Sequence, residues 1–200
     1  MKSDHLVFVI HKHKATSLHY DFRLEIGGVL PSWSIPKGPT LDNTLKRLAM
    51  PTTDHPMDYR HFEGVIPEGS YGAGPVMIWD EGYYIPEIEI EKGVRKGITD
   101  KKEGETAMKD GLKKGEIKFM LHGKKLQGSF AFVKTKGWGP KDSWLLMKHH
   151  DEYVKKDYDA NMYDFSAVSK KSIEEIEEKK YKLLVLFHEL YYFIKCSSYF

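Results

Sequence analysis

The apolar positions of this chain recur with period two and in short runs, the spacing of strands rather than of helices. The clearest alternation starts at His19: Tyr20, Phe22 and Leu24 fall on one side, and His19, Asp21, Arg23 and Glu25 on the other. Such a strand buries the first set and turns the second away from the core. Residues 6–10 are a continuous apolar run that predicts a buried strand, and residues 19–30 a strand broken at Gly27-Gly28. Pro31, Pro36, Gly38, Pro39 and Pro51 punctuate the next segment, which is therefore expected to form neither regular helix nor central strand. Residues 65–71 read as a Gly/Pro-rich loop, and residues 76–79 as a strand running into a turn at Asp80-Glu81-Gly82. Residues 92–116, rich in Lys, Glu and Gly, predict a mobile surface excursion. Strands return at 116–122 and 129–135, a hairpin through Gly123 and Gly128, and again at 143–148. From Ser172 the pattern turns helical, with Ser172 as N-cap. The expectation is a mainly β fold, a compact β-barrel or sandwich with short flanking helices and a C-terminal helix. Residues 1–168 would form the barrel domain and residues 169–200 a helical extension packed on or beside it.

Composition narrows the field only a little. The chain has 200 residues, 40% apolar and 30% charged, and a net charge of +2. That is enough for one globular domain, and it carries no global basic field, so nucleic acid would have to be met by a local patch. The single cysteine, Cys196, excludes an internal disulfide framework and fits a reducing compartment. The apolar run at residues 6–10 is short for a signal peptide, and charged residues interrupt the apolar stretch near the C-terminus. The expected address is the cytoplasm, with no membrane partner.

The polar side of the 19–25 strand carries the chemistry. His19 and Asp21 on one strand face stand about 6.5–7 Å apart, so both can reach one metal ion. His13, across a short loop, can supply a third ligand. Imidazole suits Zn, Mn, Fe or Cu and a carboxylate favours harder ions, so Mn²⁺ or Zn²⁺ is the expected cofactor. Arg23, one step along, can hold an anion such as phosphate with its planar fork. A second cluster, Asp54-His55-Pro56 with Tyr59 and His61, holds His55 extended before a proline. Lys37, Lys46 and Arg47 lie between the clusters and can meet the phosphates of an extended substrate. The glycine loop at 66–74 lacks the Gly-Lys-Ser/Thr ending of a nucleotide-binding loop. His5, His11, His122, His149, His150 and His188 have no evident partner, and the aromatic stretch 187–200 reads as a packing helix or an interface.

Taken in order, these residues form a recognisable series. Lys12-His13-x5-His19-Tyr20-Asp21-Phe22-Arg23-Leu24-Glu25 is followed by Pro36-Lys37-Gly38-Pro39, Lys46-Arg47-Leu48-Ala49 and Asp54-His55-Pro56-x2-Tyr59. Then come Phe62-Glu63-Gly64-x-Ile66-Pro67-x-Gly69-x-Tyr71-Gly72-Ala73-Gly74, Leu126-x-Gly128-x-Phe130-x-Phe132-Val133 and Trp144-Leu145-Leu146-x-Lys148. The series resembles the 3′-phosphoesterase domain of bacterial ligase D and its stand-alone archaeal relatives. The resemblance implies a β-barrel whose concave side holds the site, acting on 3′ ends of DNA or RNA–DNA primer-templates. It implies removal of a 3′-terminal ribonucleoside to leave a 3′-phosphate, then hydrolysis of that phosphate to a 3′-OH. Carried over by position, His13, His19 and Asp21 would be the Mn²⁺ ligands. Arg23 and His55 would contact the scissile phosphate with Tyr59 beside them, and Lys37 and Arg47 would be further basic groups of the site. A separate ligase or polymerase would take over the healed end. Two rivals remain: a non-catalytic DNA-end-binding module, and a non-haem iron oxygenase whose second histidine would be His122 or His149.

Overall fold

Alternation in the second strand sets the architecture. Tyr20, Phe22 and Leu24 are at most 1% exposed and join one aromatic-rich core. The computed structural model describes residues 4–137 and 139–178. Its strands are β1 (Leu6–Lys14), β2 (Leu18–Leu24), β3 (Val29–Ile35), β4 (Lys46–Pro56), β5 (Gly64–Ile66), β6 (Gly74–Glu91), β7 (Val94–Gly97), β8 (Glu116–Gly123), β9 (Gln127–Lys134) and β10 (Trp144–Lys148). A single α-helix among the described elements that are bounded on both sides, α1, spans Lys101–Lys114. The strand order β1-β2-β3-β4-β10-β9-β8-β6 returns from β6 to β1, all antiparallel, which closes a barrel and removes its edges. β5 and β7 pair outside this ring on β6. The lumen is filled by side chains: Trp33 stacks on Phe132 at 4.5 Å, and Phe22 meets Phe132 edge-on at 5.3 Å. The barrel interior is therefore a core, and any site must lie on its wall or at its ends.

Three sequence expectations change here. Asp80-Glu81-Gly82 is not a turn; β6 runs straight through it, bulged against β1 where Ile10 pairs with Asp80 but His11 with Ile78. Asp80 accepts the backbone N–H groups of Glu81, Lys124, Lys125 and Leu126, so its carboxylate ties β6 to the β8–β9 connection. Gly82 belongs to the crossover of β6 from β1 to β8: a Cβ there would lie 2.2 Å from the His122 carbonyl oxygen.

The proline-rich segment does form wall strands. Pro31 sits in β3 beyond the residues paired with β2, at a register shift against β4. Pro51 sits in β4 beyond the stretch paired with β10. Each proline thus falls where one neighbour is missing, as a residue without an N–H requires. Residues 92–116 are not a loose excursion but β7 and α1. Asp100 caps α1 by accepting Glu103 N–H, and Gly115 ends it at φ +83°.

The capping residue at Ser172 is as read. Its hydroxyl accepts Glu175 N–H while the Glu175 carboxylate accepts Ser172 N–H, a capping box at the start of helix 173–178. Ile173 and Ile176 of that turn are buried in the main core. The rest of the expected C-terminal extension, with Cys196, His188 and the aromatic stretch, lies outside the described residues. Among the described residues, no helix is long and apolar enough to cross a membrane.

Candidate functional site

With Tyr20, Phe22 and Leu24 inside, His19, Asp21 and Arg23 stand on the outer wall of the barrel. The antiparallel register places His13 opposite His19 and His11 opposite Asp21, on the same outward face of β1. This patch of outer wall is covered. His11, His13, Asp21 and Arg23 are 0%, 7%, 7% and 3% exposed. The cover comes from Tyr59 and Phe62, stacked at 5.2 Å after β4, and from the loop after β5, which brings Gly72 onto His13.

Hydrogen bonds on the far nitrogens fix how the two histidines face the centre. His13 Nε2 lies 2.8 Å from the Gly72 carbonyl and His19 Nδ1 2.9 Å from the Ser17 carbonyl. A carbonyl can only accept, so each ring donates there and keeps a lone pair on its other nitrogen. Those atoms are His13 Nδ1, 3.8 Å from Asp21 Oδ2, and His19 Nε2, 3.5 Å from Asp21 Oδ1. One donor atom from each of the three residues lies within 4.8 Å of the others, the one such group among the described residues. Donors around a single ion at about 2.1 Å lie about 3–4 Å apart, so the set fits a divalent transition metal without rearrangement of the strands. Burial alone would raise the Asp21 carboxyl, but the His13 ring and the charges of Arg23 and His19 outweigh it and hold the group below its ordinary value.

Arg23 is the hub beside this cluster. Its Nη2 donates to Asp21 Oδ2 at 2.8 Å, Nη1 to Ser32 Oγ and to His55 Nδ1 at 2.8 Å each, and Nε to His11 Nδ1 at 3.1 Å. Its guanidinium carbon lies 5.1 Å over the Tyr59 ring. Among the described residues, one Nη2–H of the five N–H groups is left for a ligand. A second becomes available if the bond to His55 is exchanged.

His55 reaches Arg23 because of a register shift. Ser32 pairs with Thr52 but Leu30 with His55, so β4 carries one extra residue between them. The bulge reverses the alternation that points Ala49 into the core and turns His55 outward. Burial, then the Arg23 charge, lowers the His55 pKa below its ordinary value, and because Nδ1 accepts from Arg23 the ring carries its proton on Nε2. Burial raises the Tyr59 phenol.

The structure therefore brings together His13, His19, Asp21, Arg23, His55 and Tyr59. Lys37 and Arg47 lie near the His19 end of this wall: Tyr20 pairs with Ile35, and Ser34 with Met50, so the residues that follow β3 and precede β4's Leu48 run alongside His19. These two line a hollow of about 590 Å³ with Pro36, Lys46, Leu48 and Leu145. Arg47 lies eight residues before His55 on β4, at the opposite end of the cluster from His55 and toward His19. Two further residues belong to the site: His11, on the period-two face of His13, and Ser32, which nothing in the sequence pattern marks. His149 pairs with Ser129, and His122 stacks on Tyr83, so neither joins the cluster that the oxygenase reading requires.

A closed barrel carrying two convergent imidazoles, a carboxylate and an adjacent buried guanidinium on its wall has the make-up of a phosphoester-processing domain. A family model for the DNA Ligase D 3′-phosphoesterase domain matches residues 11–134, and the chain belongs to that family. The chain is 44% identical over 146 residues to the multifunctional non-homologous end joining protein LigD of Pseudomonas aeruginosa, covering 73% of this chain and 15% of the relative. It is 38% identical over 158 residues to the multifunctional non-homologous end joining DNA repair protein LigD of Mycobacterium tuberculosis, covering 79% of this chain and 17% of that protein. The LigD protein of Mycolicibacterium smegmatis is 41% identical over 145 residues, with 72% and 17% covered. The chain thus spans under a fifth of the length of these relatives.

Proposed function

We propose that this domain is a metal-dependent 3′-phosphoesterase that heals DNA ends for non-homologous end joining. It would remove a 3′-terminal ribonucleoside to leave a 3′-phosphate and hydrolyse that phosphate to 3′-OH. The observation that carries the reading is the convergence of His13 Nδ1, His19 Nε2 and the Asp21 carboxylate beside Arg23 Nη2. Mn²⁺, or another divalent transition ion held by those three residues, would supply charge neutralisation and Lewis acidity at the phosphate. The chain's own residues do the rest. Arg23 offers its Nη edge to a phosphate oxygen and exchanges its bond with His55 for a second contact. His55, with its proton on Nε2, donates a hydrogen bond to the phosphate or to the leaving oxygen. Tyr59 stays a phenol and floors the guanidinium. Positioning and charge complementarity suffice, because phosphoryl transfer needs little covalent help. Lys37 and Arg47, in the hollow toward the His19 end, would meet phosphates of the bound strand.

The test is an end-labelled primer-template carrying either one 3′-ribonucleotide or a 3′-phosphate, incubated with Mn²⁺ or with EDTA. Conversion of both ends to 3′-OH in Mn²⁺ alone is the expected result. End binding without conversion under any divalent metal would replace this reading with the non-catalytic end-binding module.

A further inference from the structure

We propose that His11 is a positioning residue of the phosphate site, acting through Arg23; this rests on the phosphoesterase reading above. His11 is fully buried on the outward face of β1, where the preceding positions of the same face are Val7 and Val9. An apolar residue would continue that face without cost. The imidazole instead accepts the Arg23 Nε–H on its Nδ1 at 3.1 Å. Its proton is thereby confined to Nε2, which has no hydrogen-bond partner among the described residues. A buried donor left unpaired is a cost that pure packing would remove. What the chain gains from it is the orientation of the guanidinium.

That orientation matters because Arg23 can grip phosphate by two edges, Nε with one Nη, or Nη1 with Nη2. His11 occupies Nε and closes the first edge. Ser32 and Asp21 hold the two Nη groups from opposite sides, and the Tyr59 ring lies beneath, with His11 packed against Tyr59 edge-on at 5.6 Å. The Nη edge is then the one presented next to the His13, His19 and Asp21 donors. Without an acceptor at position 11 the guanidinium can turn its Nε into the site, away from the register set by Asp21.

The test compares His11→Leu, which removes the acceptor, with His11→Gln, whose amide oxygen can take the same Nε–H. Steady-state turnover of a 3′-phosphate-ended primer-template and calorimetric binding of inorganic phosphate and of Mn²⁺ are measured on all three proteins. The expected result is a KM and a phosphate dissociation constant raised about tenfold in His11→Leu, in line with the 10–100-fold usual for groups that orient a ligand-binding residue. Mn²⁺ affinity stays unchanged and His11→Gln recovers most of the loss. Wild-type KM and phosphate affinity in His11→Leu would overturn the proposal. So would equal losses in His11→Leu and His11→Gln with a matching fall in melting temperature, the mark of a packing role. Absence of turnover in the wild-type protein would instead strike the phosphoesterase reading itself, while the phosphate-binding comparison would still judge His11.

Discussion

Two polar clusters are built into the strands of this barrel, and only one of them has the form of a site. On β1 and β2, His13, His19 and Asp21 turn lone pairs toward a common point, because each imidazole uses its other nitrogen on a backbone carbonyl. On β6, β9 and β10 the cluster is closed on itself. Ser129 Oγ donates to Glu87 and bonds His149 Nδ1, and Lys148 Nζ donates to the Ser129 and His149 carbonyls and to Asp151. Both clusters contain histidine and buried charge. The first holds imidazole lone pairs that meet no donor among the described residues; the second uses its donors and acceptors on its own members. Burial of polar groups therefore does not by itself mark function, whereas convergent lone pairs beside a charged donor do.

The contrast is testable from its strongest consequence downward. His19→Ala is expected to reduce turnover of either 3′ end on the order of 10³-fold, the scale of losing a principal electrostatic stabiliser. Its melting temperature should stay near wild type, since His19 is only partly buried and anchored by a single bond to Ser17. A variant that still turns over would remove His19 from the ligand set. Arg23→Lys should lose about 10²-fold in turnover, because an ammonium cannot reproduce four directed bonds and a planar edge. It should also melt lower, as His11 and Ser32 lose their donor; normal kinetics would make Arg23 structural.

Lys148→Met probes the closed cluster. Removing its ammonium takes the cation from the Asp151 carboxylate and one donor each from the Ser129 and His149 carbonyls, for a cost of about 3 kcal/mol in denaturant unfolding. Turnover of the folded fraction should not change, and a large kinetic effect would show that the second cluster communicates with the first. The smallest expected effect is a pH slope. Burial, then the charges of Arg95, Lys118 and Lys148, lowers the His149 pKa from 6.5 to about 4. Between those values the unfolded chain binds the extra proton and the folded chain does not, so stability falls as pH drops from 6.5 toward 4. His149→Gln should flatten this slope in thermal melts across that range, and an unchanged slope would assign it elsewhere.

The site was largely legible because it is written locally. Period two along β2 puts His19, Asp21 and Arg23 on one face, and a three-residue connection makes His13 their cross-strand neighbour. His55 was visible as a residue held extended before Pro56, but its approach to Arg23 depends on a bulge in β4 that no local pattern announces. Lys37 and Arg47 line a hollow of their own, which the register sets toward the His19 end of the wall. Among the elements, α1 was missed because Gly104 and Gly111 look like breakers. They are contact points, where a Cβ would come within 2.9 Å of Pro86 and 2.6 Å of the Glu116 carbonyl as the helix packs on the sheet. β6 was cut short at Asp80-Glu81-Gly82 for the same reason, since close approach to β8 asks for glycine as firmly as a turn does.

The central claim is that the outer face of β1 and β2 holds one divalent ion through His13, His19 and Asp21. Its most direct test is calorimetric titration of Mn²⁺ into the metal-free wild-type domain and into His19→Ala, with melting curves of both recorded beforehand. The account predicts one equivalent bound per wild-type chain, and binding lost in a variant that is equally folded. Equal Mn²⁺ binding by the two proteins, or none by the wild type, would contradict it.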